Sequence, residues 1–484
     1  MGTVDLRYPL DLVVLERGAA TPLNRQLCDQ LRELILSGAV LPGSRLPSIR
    51  GIAAALAVSR NTVVAALDQL AAEGLIQTQP GSGTRVSPAI VIRHARSAPK
   101  AEDAPRLSAR GALMAGQPRV TTLPGRIAFH PGTPELALFP FKTWSRLLSR
   151  HARFGREDIF GYHYIAGHPH LREMIASFLR VMRRVRCEPG QVVVTTGGQA
   201  ALDLLARVLL DPGDTVWMEE PGYLGARGAF LAAGARLVPL AVGRQGWQAP
   251  ESGPPPRLIY LTPSCQHPLS VTMPLDQRFA ILGLAQAAGA WIIEDDFDGE
   301  YTFRGQPQPS MQGLTGDARV IYVGTFAKTL FPAMRLGFAI LPPELAERIR
   351  PALSVTGQFA PLVLQAALAD FIEQGYFFRH LNRMRHLYAR RRQTFDELYE
   401  TYLGEWLEPI DGRTGIQIAS TFATARDDRA VSAAARAAGV NLAPLSLYFA
   451  GAPTMTGLLM GYAAVPEPAM RKAFEILRPI VAAA

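Results

Sequence analysis

Residues 320–328 read VIYVGTFAK. The β-branched and aromatic start predicts a buried strand over 319–323, with Lys328 closing the run. The chain holds four lysines against 46 arginines, so a lysine at this place is informative. Both residue types carry surface charge, but only lysine has an amine that sheds its proton and condenses with an aldehyde. Lys328 is a candidate for that chemistry. The plainer reading is a solvated charge at a strand end.

Outward from this run, strand-like stretches at 191–195, 215–218, 257–261 and 291–294 alternate with helix-like segments. The alternation predicts an α/β domain with a mainly parallel sheet and functional residues at its strand ends. Gly197, Gly198 and Gln199 open a helix after the first stretch, where amide N–H groups can meet an anion such as phosphate. Pro221-Gly222-Tyr223 presents an aromatic ring after the second. The acidic run Glu294-Asp295-Asp296-Phe297-Asp298-Gly299-Glu300 suggests a magnesium site or, more commonly, a solvated edge. Thr325 and Arg335 flank Lys328. A phosphate cradle, an aromatic face, a carboxylate for a ring nitrogen and a lysine for an aldehyde are together what a pyridoxal 5'-phosphate site requires.

At 484 residues the chain exceeds one ordinary core, so two or more domains are expected. An apolar fraction of 48% with 19% charged residues fits a globular fold in water. No apolar run has the length of a membrane span, and no signal peptide precedes the first charges. Cys28, Cys187 and Cys265 are scattered and show no zinc spacing. The expectations are a cytoplasmic protein with no metal, no disulfide framework and no membrane association. Residues 1–86 carry a net charge of +1, whereas residues 87–126 carry +5 with several prolines and weak periodicity. The second stretch reads as a basic linker able to touch phosphate.

Residues 24–37 place Leu27, Leu31, Leu34 and Ile35 on one helical face, ended by Gly38. Ser48 and Ser59 are good N-caps for two further helices, the last stopped by Gly74. Strand-like runs at 75–79 and 84–86 flank a hairpin tip at 80–83. Three helices and a hairpin predict a winged helix-turn-helix. Ser59, Arg60, Asn61 and Thr62 start its third helix, where a recognition helix meets phosphates and base edges. Arg45, Arg50 and Arg85 are candidates for flanking phosphates. The near-zero charge leaves a three-helix interaction module open as an alternative.

The turn Leu41-Pro42-Gly43-Ser44-Arg45-Leu46-Pro47-Ser48, the helix start Ser59-Arg60-Asn61-Thr62-Val63 and the wing Gly81-Ser82-Gly83-Thr84 resemble the GntR-type winged-helix domain of bacterial transcription regulators. From about Phe129 the chain resembles fold-type I aminotransferases, which are pyridoxal-phosphate-dependent transferases. The two together resemble MocR-type regulators, in which an aminotransferase-like domain serves as sensor. The resemblance implies a DNA-binding domain over 1–86, a linker over 87–126 and a sensor over 127–484. It implies that Lys328 condenses with pyridoxal phosphate and that Asp295 pairs with the pyridine nitrogen. Arg335, Thr325 and the amides of Gly198 and Gln199 would hold the phosphate, and Tyr223 would stack on the ring. Tyr162 would reach the phosphate from a partner subunit, and Gln266 would lie near the cofactor's 3-oxygen. Also implied are a homodimer, an operator of two half-sites in double-stranded DNA, nucleoid association when bound, and a small-molecule effector. The effector would be an amine, an amino acid or the cofactor itself.

The chain departs from the aminotransferase pattern at several places. Phe297 stands for a tyrosine, Cys265 for a histidine, Ser270 for a glycine and Ala327 for a serine. Aminotransferases carry a substrate-gripping arginine near 457–462, yet no arginine stands between Arg436 and Arg471 here. Three explanations are open: an effector without a carboxylate, another arginine as clamp, or the cofactor as signal. The departures favour a regulator over the alternative of a working aminotransferase with an appended DNA-binding domain.

Overall fold

A computed structural model describes residues 10–79, 83–89, 107–118, 128–155, 157–161, 163–243, 245–303, 308–315, 319–410, 412 and 414–484. The chain divides into two units, Met1–Arg106 and Leu107–Ala484. In the first, helix α1 (Leu23–Leu36) follows Pro22, and α2 (Ile49–Ala55) and α3 (Arg60–Ala72) start where Ser48 and Ser59 predict. Ser48 Oγ accepts from the Gly51 amide and Ser59 Oγ from the Thr62 amide, each at 3.1 Å, satisfying helix-end donors. Leu27, Leu31 and Ile35 of α1 bury against Ile52, Val63, Leu67 and Leu70. Strands β1 (Ile76–Gln79) and β2 (Gly83–Val86) pair antiparallel, Ile76 opposite Val86. The tip at 80–82 lies outside the described residues. Gly83 has a positive φ, and a Cβ there would lie 3.0 Å from Arg45 Nε, so the glycine lets that arginine cross the wing.

The second unit opens with α4 (Ala109–Ala115), α5 (Phe141–Phe154) and α6 (Pro169–Met182). Helix α4 lies within the stretch read as a linker, is capped by Ser108 at 3.0 Å, and packs beside α8. There follow β3 (Val192–Thr195), α7 (Gly198–Leu209), β4 (Thr215–Glu220), α8 (Leu224–Ala232), β5 (Arg236–Gly243), β6 (Gly246–Gln248), β7 (Leu258–Leu261), α9 (Leu275–Ala288), β8 (Trp291–Asp296), α10 (Met311–Leu314), β9 (Val320–Thr325) and β10 (Gly337–Ile340). These eight strands form one sheet in the order β3-β10-β9-β8-β7-β4-β5-β6. The centre, β9-β8-β7-β4-β5, is parallel, while β10 runs antiparallel between β3 and β9. Crossover helices cover the apolar strands, as parallel sheets require. Helices α11 (Pro343–Thr356), α12 (Leu362–Glu373) and α13 (Tyr376–Leu403) lead to β11 (Leu407–Pro409), β12 (Gln417–Phe422), α14 (Asp428–Ala437), β13 (Ala443–Pro444), β14 (Gly457–Gly461) and α15 (Glu467–Ala483). The last four strands make a separate antiparallel sheet, order β11-β12-β14-β13.

Lys328 does not close a strand. Strand β9 ends at Thr325, and the lysine sits three residues later in a turn. The acidic run is neither a solvated edge nor a metal cluster. Glu294 accepts from the Met311 and Gln312 amides at 2.8 and 3.0 Å. Asp296 takes Arg183 Nε at 2.6 Å and Tyr322 Oη at 2.7 Å, and Asp298 takes the Ile416 amide at 2.8 Å. These partners make the burial of Glu294, Asp296 and Asp298 tolerable.

Candidate functional site

The carboxyl ends of β3, β4, β8 and β9 open into a cavity of about 590 Å³, within the range of about 300–1,000 Å³ that suits small ligands. After β3, Gly197 has φ 110° and leads into α7, whose amide-bearing N-terminus faces the cavity with Gly198 and Gln199. Antiparallel β10 begins at the same edge. Gly337 pairs with both Thr195 and Thr325, so the preceding Arg335 reaches the turn from the opposite direction. A Cβ on Gly197 would lie 3.6 Å from Arg335 Cζ, and one on Gly198 would lie 3.8 Å from Thr325 Cβ. A guanidinium, a threonine and a helix N-terminus thus converge on one point, which suits a phosphate group.

Asp295, from β8, lines the cavity, and Tyr260 Oη donates to its Oδ2 at 2.8 Å. Burial pushes Asp295 up to about 7. A cationic ring nitrogen would return it to the ionised form. Tyr223 presents its ring to the cavity, and burial raises its phenol to about 12. Lys328 Nζ donates to the Gly132 carbonyl at 2.6 Å. Burial pulls its pKa down, opposed by Asp298, Cys265 and Asp295. A half-buried amine with depressed basicity is a ready nucleophile.

The structure therefore brings together Lys328, Asp295, Tyr223, Arg335, Thr325, Gly198 and Gln199. Gln266 lies outside the cavity lining, with its amide hydrogen-bonded to the chain. Its Nε2 donates to the Pro221 and His267 carbonyls at 2.8 and 2.9 Å, and its Oε1 accepts from the Leu269 amide at 2.9 Å. The next residue, His267, faces the cavity instead, edge-on to Phe297 at 5.6 Å. Tyr162 lies outside the described residues. Sequence reasoning missed His130, Gly132, His267, Gln417, Tyr448 and Pro118, which also line the cavity. None carries a local signal: His130 precedes the α/β repeat, and Gln417 comes from the second sheet.

In the first unit Arg45, Arg50, Ser59, Arg60, Asn61 and Arg85 are exposed, and Thr62 is half-buried. Ser59 serves mainly as the cap of α3, with its hydroxyl also 2.8 Å from Thr62 Oγ1. Arg85 Nη1 donates to the Gly43 carbonyl at 3.0 Å, which ties the wing to the Leu41–Pro47 turn.

Residues 140–475 match the family "Aminotransferase class I and II", and residues 23–86 match "Bacterial regulatory proteins, gntR family". The chain is 50% identical over 470 residues to the "Probable rhizopine catabolism regulatory protein MocR" of Rhizobium meliloti, covering 96% of this chain and 95% of that one. It is 31% identical to the "HTH-type pyridoxine biosynthesis transcriptional regulator PdxR" of Corynebacterium glutamicum, covering 95% and 96%. Among solved structures it resembles LysN, the alpha-aminoadipate aminotransferase of Thermus thermophilus complexed with N-(5'-phosphopyridoxyl)-L-leucine. That match has a TM-score of 0.68 and 26% identity and covers 77% of this chain and 98% of that one. With both family matches and a full-length relative at this identity, the chain belongs to the MocR-type family, in which a GntR-type winged helix is joined to an aminotransferase-like domain.

Proposed function

We propose that this chain is a DNA-binding transcription regulator whose aminotransferase-like unit holds pyridoxal 5'-phosphate and senses a small amine, an amino acid or the cofactor itself. The carrying observation is the convergence in one cavity of the Lys328 amine, the buried Asp295 and the Gly197–Thr325–Arg335 cradle. These residues fit the cofactor. Gly197, Gly198, Gln199, Thr325 and Arg335 would hold its phosphate, Asp295 its ring nitrogen, Tyr223 a ring face and Lys328 its carbonyl carbon. When bound, the cofactor supplies an electrophilic carbon that primary amines attack. Asp295 would keep the ring nitrogen protonated, and the depressed basicity of Lys328 would keep its amine able to exchange.

DNA recognition would rest on Arg60, Asn61 and Thr62 at the start of α3, with Ser59 shaping that end and Arg45, Arg50 and Arg85 on phosphates. A cytoplasmic homodimer would offer two such readers to two half-sites, with Tyr162 completing the partner's phosphate site. Residues 1–86 would form the reader, 87–126 the linker and 127–484 the sensor. Effector binding would shift the balance between two arrangements of readers and sensors. The test is titration of purified protein with pyridoxal phosphate. A new absorbance band at the edge of the visible range is expected in the intact protein and is lost in Lys328→Ala. Absence of any cofactor-dependent band in the intact protein would falsify the sensor assignment.

A further inference from the structure

The cavity is strongly unsymmetrical in charge. Its phosphate end holds Arg335, and among the described lining residues the other fixed cation is Lys328 itself. Around Lys328 stand uncharged polar groups. A Cβ on Gly132 would lie 2.5 Å from Lys328 Nζ and 3.6 Å from Gln417 Oε1, so the amine and the carboxamide both approach this glycine. His130 Nδ1 lies 3.0 Å from the Pro131 carbonyl, which can only accept, and 2.9 Å from Thr133 Oγ1, which can donate or accept. His130 Nε2 accepts a hydrogen bond in the tautomer protonated on Nδ1 and donates one in the other. Nε2 is buried and has no hydrogen-bond partner among the described residues. His267 Nδ1 lies 3.2 Å from Gln417 Nε2, a donor, which places the His267 proton on Nε2. Burial lowers both rings, His267 to about 3, so both are neutral at physiological pH.

The neighbourhood is hostile to an anion. Leu458, Leu459 and Met460 occupy the strand where an aminotransferase carries its carboxylate-binding arginine. All three are fully buried in the core. Asp298 and Asp295 bear on Lys328 electrostatically and add negative potential wherever they ionise. A carboxylate brought here would lose its water without gaining a cation. A hydroxyl would fare differently. It both donates and accepts, so it can pair with His130 Nε2 in either tautomer and accept from a carboxamide or ring N–H.

We infer that the effector of this cavity is a hydroxylated primary amine without a carboxylate. The inference rests on the proposed sensor function and narrows it. The geometry that carries it is the shared lining of Lys328, the Gln417 carboxamide and His130, whose Nε2 has no partner among the described residues, with no second arginine among the described residues there.

The test uses full-length protein loaded with pyridoxal phosphate, with loading checked by its absorbance band. Calorimetric titration then compares matched pairs: serinol with serine, 4-amino-1-butanol with 4-aminobutyrate, and glucosamine with glucosaminic acid. At least one hydroxylated amine should bind, and each that binds should do so at least about tenfold more tightly than its acid. His130→Phe should weaken the best hydroxylated amine about fivefold or more while narrowing its advantage over propylamine. Loaded protein that prefers the acids, or that binds none of the hydroxylated amines, overturns the inference and leaves the cofactor assignment standing. Failure of the band to appear at all overturns the sensor function first, and the inference with it.

Discussion

At the residue scale, the cavity depends on side chains held in protonation states they would not choose in water. His267 is a clear case. Its unfolded pKa is near 6.5, and burial pushes the folded value down to about 3. Between those values the unfolded chain binds more protons, so this histidine makes stability rise with pH and fall as acid is added. The full slope for one proton is about 1.4 kcal/mol per pH unit. Asp295 and Asp298 act in the opposite sense. Burial raises each to about 7, so the folded state holds the extra proton and their contribution declines as pH rises from about 4 to about 7. The intact protein shows the sum, and His267→Gln removes one contribution. On going from pH 5.5 to 4.5, urea unfolding of cofactor-free protein should therefore show the variant's stability rising by about 1 kcal/mol relative to the intact chain's, whichever way the sum moves. Equal changes would mean that the ring is protonated in the folded state. Lys328 was legible in the sequence because lysine is rare there. His267 was not, since a histidine's depressed basicity comes from packing that no neighbouring residue announces.

At the scale of elements, the site is made by strand ends meeting, and this set what the sequence could reveal. Strands β3, β4, β7, β8 and β9 were legible because buried strands read as continuous apolar runs. Strand β10 was not: it is four residues long, begins with Gly337, and takes its direction from two neighbours. Yet it fixes the phosphate turn. A Cβ on Gly337 would lie 2.6 Å from the Gly197 carbonyl carbon and 2.7 Å from the Gly198 nitrogen, both backbone atoms that cannot rotate away. Gly337→Ala should push the α7 N-terminus off its partners, costing about 1–3 kcal/mol in stability. The affinity for pyridoxal phosphate should fall about tenfold or more, as phosphate contacts at a helix N-terminus are lost. Absorbance titration beside thermal unfolding separates the two effects. An unchanged cofactor affinity would show that the turn tolerates the shift. In the first unit the same logic runs through Ser59. Its cap is worth about 1 kcal/mol, so Ser59→Ala should lower the unfolding free energy by that amount, whereas Ser59→Asp should retain most of it.

At the scale of the whole molecule, charge is placed away from the reader. Residues 1–86 carry a net charge of only +1, and the next forty residues carry +5. Base contacts from α3 give preference among sequences, but affinity for a duplex comes largely from phosphate neutralisation and the counterions it releases. A nearly neutral winged helix is therefore expected to borrow affinity from the basic segment that follows it. Replacing Arg93, Arg96 and Lys100 together with glutamine should flatten the plot of log affinity against log salt by about 0.9 for each phosphate contact removed, so by up to about 2.7. The preference for the operator over a scrambled duplex should change little, because these residues would touch phosphate rather than bases. Fluorescence anisotropy across a series of salt concentrations measures both quantities at once. A slope equal to that of the intact chain would place the phosphate contacts on Arg45, Arg50 and Arg85 alone. A flattened slope with lost operator preference would instead mean that the segment reads bases.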